Sequence, residues 1–125
     1  MPPRAKRDRQ AAQRRGLSGE GLAALWLRLN GYRILARRLK TRAGEIDLVA
    51  AAPFGPVCFI EVKARGAVRA AAESLGPVQQ TRIARAAFLY LSDRPSLARR
   101  GSRFDIIAVA PHSLPVYYRD VWRPA

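Results

Sequence analysis

One cysteine, one histidine and nine acidic residues stand among the 125 of this chain, and each shortage removes a class of chemistry. A lone Cys58 excludes an intrachain disulfide, and its place inside an apolar run marks it as a core residue. One cysteine and one histidine (His112, beside Pro111 in a turn) do not make a zinc site of the common kind, and they leave no ready partner for a histidine-based nucleophile. Neither a Walker loop nor a GxGxxG turn occurs. No apolar run approaches the ~18 residues that would suggest a membrane span. The N-terminus lacks the apolar core of a secretory signal, so a cytoplasmic protein without membrane association is expected. Elimination leaves carboxylates and lysine as the groups able to carry chemistry.

What the chain has in excess is positive charge. Twenty-three basic residues, 20 of them arginine, give a formal net charge of +14. That balance favours a polyanionic partner, and the planar guanidinium fork suits bidentate contact with phosphate. Residues 1–15 are basic and lack apolar periodicity, so they read as a disordered arm. Residues 16–125 are long enough for one domain with one core.

The scarce acids are not scattered. In the stretch Gly44 to Arg65, Glu45 to Ala50 alternates as a strand, with Ile46, Leu48 and Ala50 on one face and Glu45, Asp47 and Val49 on the other. Val57 to Ala64 follows as a second strand, with Phe59, Glu61 and Lys63 sharing a face. Between them Pro53-Phe54-Gly55-Pro56 is a strong turn signal. Folding back symmetrically about Phe54 sets Asp47 opposite Glu61 and Glu45 opposite Lys63. Two carboxylates facing each other repel, and a hard divalent cation, Mg²⁺ or Mn²⁺, would relieve that repulsion. Lys63 beside them is suited to orient water and to offset charge on a phosphate. The same pattern also fits a solvated sheet face on which Lys63 bridges to Glu45 or Glu61.

Elsewhere the periodicity predicts a helix over 19–29 capped by Ser18, with Leu22, Leu25, Trp26 and Leu29 on its apolar side. Glu20 in its first turn either complements the helix dipole or reaches the sheet as a further ligand. A strand is expected over 32–39, with Arg33, Arg37, Arg38 and Lys40 exposed. A second helix begins at Pro77 and runs to about Ser92, with Ile83, Ala87, Leu91, Val78 and Phe88 on its apolar side. Two more strands follow at 103–110 and 115–122. Asp105 is expected to pair with an arginine, and Tyr117, Tyr118 and Trp122 to pack. The loop after Arg65 places Arg65 and Arg69 to clamp a phosphate backbone, and Arg82 of the second helix flanks them. The order αβββαββ makes an α/β fold: a mixed sheet flanked by helices.

Gly16-x-x-Gly19-Glu20, Gly31-Tyr32, Gly44-Glu45-Ile46-Asp47-Leu48, Phe59-x-Glu61-Val62-Lys63-x-Arg65 and Arg103-Phe104-Asp105 together resemble the YraN-like family of uncharacterised bacterial proteins. The Asp…Glu-x-Lys core also resembles the PD-(D/E)XK nuclease superfamily, in particular Holliday junction resolvases and the catalytic domain of tRNA-splicing endonucleases. The resemblance implies a restriction-endonuclease-like sheet. It implies Mg²⁺ held by Asp47, Glu61, the Val62 carbonyl and Glu20, with Lys63 acting on water. It further implies nucleic-acid contacts from Ser74, Gln79 and Gln80 at the start of the second helix, although Gln79 stands where family members carry lysine. The expected function is Mg²⁺-dependent hydrolysis of phosphodiester bonds in DNA, favoured over RNA, including branched intermediates. The alternative is a catalytically inactive nucleic-acid-binding protein on the same fold. Symmetric cutting of a junction would call for a homodimer.

Overall fold

A computed structural model describes residues 18–65 and 76–124. Helix α1 (Gly19–Leu29) starts where expected: the Ser18 side chain accepts a hydrogen bond from the Gly21 N–H at 3.0 Å. Strands β1 (Arg33–Thr41), β2 (Gly44–Ala51) and β3 (Val57–Ala64) follow, then helix α2 (Pro77–Leu91), a single turn of helix α3 (Pro95–Ala98), and strands β4 (Ser102–Val109) and β5 (Val116–Trp122). The five strands form one mixed sheet in sequence order. β3 and β4 are its parallel pair, joined by the crossover that contains α2. The order αβββαββ therefore holds, with α3 as a short addition ahead of β4.

Each face of the sheet carries a helix. On the α1 side Ala23, Ala24 and Leu27 pack with Leu48, Ala50, Cys58, Ile60 and Ile107. On the α2 side Ile83, Ala86, Ala87 and Tyr90 pack with Ile46, Val49, Val57, Phe59 and Phe104. Cys58 is buried, and Asp105 pairs with Arg103, as read from the sequence. Tyr117 packs beside the α1-side core and Trp122 stacks on Phe104, while Tyr118 is exposed.

The apolar stripes of the helices need correction. α1 buries its alanines and Leu27, leaving Leu25 and Leu29 exposed and Trp26 half-buried. On α2, Val78 and Phe88 are exposed instead of packed. Helical spacing allowed both stripes; on α1 the alanines Ala23 and Ala24 face the sheet, which lets that helix approach it closely. At Gly19 an added Cβ would meet Val109 Cγ2 at 3.2 Å, which measures how tight that approach is.

The hairpin register is as expected over four pairs, Leu48↔Ile60 to Ala51↔Val57, all symmetric about Phe54. Phe54 takes φ 52° at the tip, and the Ala52 N–H donates to the Pro56 carbonyl at 3.0 Å. The alternation along β2 does not hold throughout: Ile46 packs on the α2 side with Val49, and Leu48 and Ala50 pack on the α1 side. The neighbouring strand is irregular at the same level. Arg38 falls between the pairs Arg37↔Leu48 and Leu39↔Ile46, hence opposite Asp47, and it has φ 50°. A left-handed residue kinks the strand and re-aims the side chains around it.

Candidate metal and phosphate site

The kink sets Asp47 where β2 and β3 part. Its Oδ2 accepts a hydrogen bond from the Val62 backbone N–H at 2.8 Å, and the ladder between the two strands ends at Leu48↔Ile60. A carboxylate has thus taken the place of a backbone carbonyl as partner of β3. Oδ1 of Asp47 has no partner among the described residues.

Glu61 lies one residue before Val62, with 21% of its side chain exposed, and Lys63 Nζ is 3.8 Å from its Oε1. Burial pushes the Glu61 carboxyl above its usual range; Lys63 pulls it down and Asp47 pushes it up again. Lys63 thus offsets the Asp47 repulsion at Glu61, and burial remains the main cost of the Glu61 charge. The β2–β3 ladder stops short of Glu45 and Lys63, and no ion pair joins them among the described residues. Glu45 pairs with Lys40 across β1–β2, at 4.0 Å between exposed charges.

Glu20 is committed to partners on β1. Its side chain is 13% exposed, and both carboxylate oxygens are engaged: Oε1 by Arg37 Nε and Oε2 by Arg38 Nε, each at 2.8 Å. Neighbouring residues on a strand ordinarily point to opposite faces, so two adjacent arginines should not reach one carboxylate. The left-handed backbone at Arg38 removes that restriction. Nothing in the sequence pattern marks Arg38 as left-handed, which is why this grip was not legible there.

The expected nucleic-acid contacts gather only in part. Arg65 is exposed at the end of β3, and Gln79 and Arg82 are exposed on the first turns of α2. Arg82 lies over the β1–β2 turn, its Cβ 3.9 Å from where a Cβ on Gly44 would stand. Gln80 is half-buried in the same turns of α2. Arg69, Ser74 and the basic arm at 1–15 lie outside the described residues. Both helices begin at the end of the sheet that carries Asp47 and Glu61: α1 over Val62 and Val109, α2 beside the β1–β2 turn.

Mg²⁺ usually takes one or two carboxylates and fills its remaining positions with water and phosphate oxygen. Asp47 and Glu61 fit that donor set: hard oxygens, half-buried and close enough to repel each other. The Val62 carbonyl belongs to the same two-residue stretch. Glu20 does not join them in this arrangement, because both its oxygens are spent on guanidinium groups, and among the described residues no group of three or more acidic, histidine or cysteine side chains is placed to hold a metal.

The profile of the uncharacterised protein family UPF0102 matches residues 19–109. The chain belongs to this family. The match runs from the first residue of α1 to the last of β4 and so contains Glu20, Asp47, Glu61 and Lys63. Similar UPF0102 proteins occur in Paramagnetospirillum magneticum, 54% identical over 98% of this chain and 95% of the relative. Another, in Parvibaculum lavamentivorans, is 51% identical over 91% of this chain and 85% of the relative. A third, in Rhodopseudomonas palustris, is 54% identical over 86% of this chain and 82% of the relative. The YraN-like resemblance is thereby borne out as family membership, and the family carries no described activity.

Proposed function

We propose that this UPF0102 protein is a Mg²⁺-dependent phosphodiester hydrolase that cuts DNA, including branched forms. The observation that carries the reading is the Asp47–Glu61–Lys63 group at the point where β2 and β3 part, in a chain of net charge +14. Two neighbouring half-buried carboxylates and a lysine, on a strongly basic protein, suit a site completed by a cation and a phosphate.

Each residue has a task in this reading. Asp47 and Glu61 bind the cation, with the Val62 carbonyl as a further donor. The Val62 N–H fixes one oxygen of Asp47 and so orients the other. Bound Mg²⁺ or Mn²⁺ supplies Lewis acidity at the scissile phosphate and at the attacking water. Lys63, paired with Glu61 at 3.8 Å, would be placed to orient the water or to offset charge on the phosphate. Arg65, Arg82 and Gln79 contact the backbone without reading bases, so binding falls steeply with salt.

Incubation with duplex, branched and single-stranded DNA and with RNA, in Mg²⁺, Mn²⁺ or EDTA, tests the proposal. Cutting that needs the cation and disappears in Asp47→Asn and Glu61→Gln is expected. Cutting that survives both substitutions places the centre elsewhere. A second reading, a nucleic-acid-binding protein without hydrolysis, draws on one feature: Glu20 is committed to two arginines instead of the acidic pair. Binding without cleavage of any substrate selects it.

A further inference from the structure

Arg37 and Arg38 are exposed, as read from the sequence, but they are not free surface charges. They lie on β1 beside β2, with Arg38 opposite Asp47, and their side chains are 45% and 73% exposed. Each gives only its Nε to Glu20. The terminal amino groups of both have no partner among the described residues. One nearly buried carboxylate therefore holds two guanidinium groups next to each other by their inner nitrogens and leaves their outer nitrogens to solvent.

A guanidinium anchored through Nε has lost much of its side-chain freedom, and what it still offers is the Nη edge that meets phosphate oxygens. The pair carries two positive charges against one negative, so it stays net cationic. We infer that Arg37 and Arg38 form a phosphate clamp for the nucleic-acid backbone beside Asp47, and that Glu20 is the positioning residue that holds the clamp in shape. The inference rests on the reading of this end of the sheet as facing nucleic acid, and it does not require that the protein cuts.

The test is binding of a fluorescent 30-base-pair duplex in EDTA across a range of salt concentrations, with melting temperatures recorded for every variant. Each phosphate contact contributes about −0.9 to the slope of log affinity against log salt. Arg37→Ala and Arg38→Ala should each flatten the slope by about one and weaken binding about tenfold. Arg99→Ala, exposed at the opposite end of the sheet after α3, should leave the slope near that of the parent. Glu20→Gln supplies the sharper sign. It removes a negative charge, so bulk attraction alone would tighten binding, whereas loss of the clamp weakens it severalfold. Glu20→Gln that binds more tightly, or Arg37→Ala and Arg38→Ala with the parent slope, overturns the clamp while leaving the metal site standing. Absent cleavage with the predicted slopes sinks the hydrolase and leaves the clamp. A parent protein that binds no duplex at any salt concentration overturns both.

Discussion

Asp105 and Glu61 are neighbours on adjoining parallel strands, since Asp105 is paired with Ile60, and yet they live in opposite states. The Asp105 side chain is fully buried and fully occupied. Arg103 grips it through two nitrogens at 3.0–3.1 Å, the Tyr117 hydroxyl donates to it, and the Asp120 N–H donates to it at 2.7 Å. Burial works against the Arg103 charge, but hydrogen bonds to Asp105, Tyr32 and Tyr117 outweigh it and hold the guanidinium protonated. Burial first, and then Asp105, push the Tyr117 hydroxyl well above its usual range. Glu61 is also largely buried, but it has one lysine at 3.8 Å and a second acid nearby. A carboxylate with every lone pair answered ties strands together. One left in deficit is poised to receive something else.

Removing the satisfied acid should do the most damage. Asp105→Ala removes the fully buried acceptor shared by half-buried Arg103 and Tyr117, and a loss of about 3–5 kcal/mol is expected in urea or thermal unfolding. A loss under about 1 kcal/mol would erase the distinction between the two acids. Asp47→Asn should behave in the contrary way. Its amide oxygen still accepts from Val62, so stability should move by no more than about 1 kcal/mol, while cleavage falls at least about 100-fold. Equal losses in both measurements would make Asp47 a structural residue.

Glu61→Gln should stabilise the fold by about 1 kcal/mol at neutral pH, because it removes a charge that burial disfavours. The folded state raises the Glu61 pKa above 4.5, so it binds the proton more tightly than the unfolded chain. Parent stability should then fall as pH rises from about 4.5 through the folded value, and the gain in the variant should appear only above that window. Parallel curves of melting temperature against pH for the two proteins would contradict this. Smaller still is the effect at Cys58, whose thiol burial pushes up to about 11. Thiol reagents at pH 8 should label it only on unfolding, and rapid labelling of the native protein would show an open core. Lys40→Ala should be nearly silent, within about 0.5 kcal/mol, because its bridge to Glu45 spans 4.0 Å between exposed groups.

The candidate site was legible to the extent that it depends on short-range order. Asp47, Glu61 and Lys63 come together because a four-residue turn sets the hairpin register, and turn chemistry is local. Glu20 was joined to the acids only through the family resemblance. Its engagement by Arg37 and Arg38 depends on one left-handed residue within a strand, which has no signature in residue spacing. The helix stripes failed for a different reason. Leu25 and Ala24 are both acceptable at helical spacing, and the thickness of the layer below chooses between them.

The sequence by itself determined the elements, their order and the meeting of two acids with a lysine, because caps, turns and strand alternation act over a few residues. The tertiary structure alone decided which helix faces are buried, which arginines hold Glu20, and which acid is satisfied and which is left in deficit. Those outcomes depend on distances between layers and on the burial of charge, energies that exist only once the chain has closed on itself.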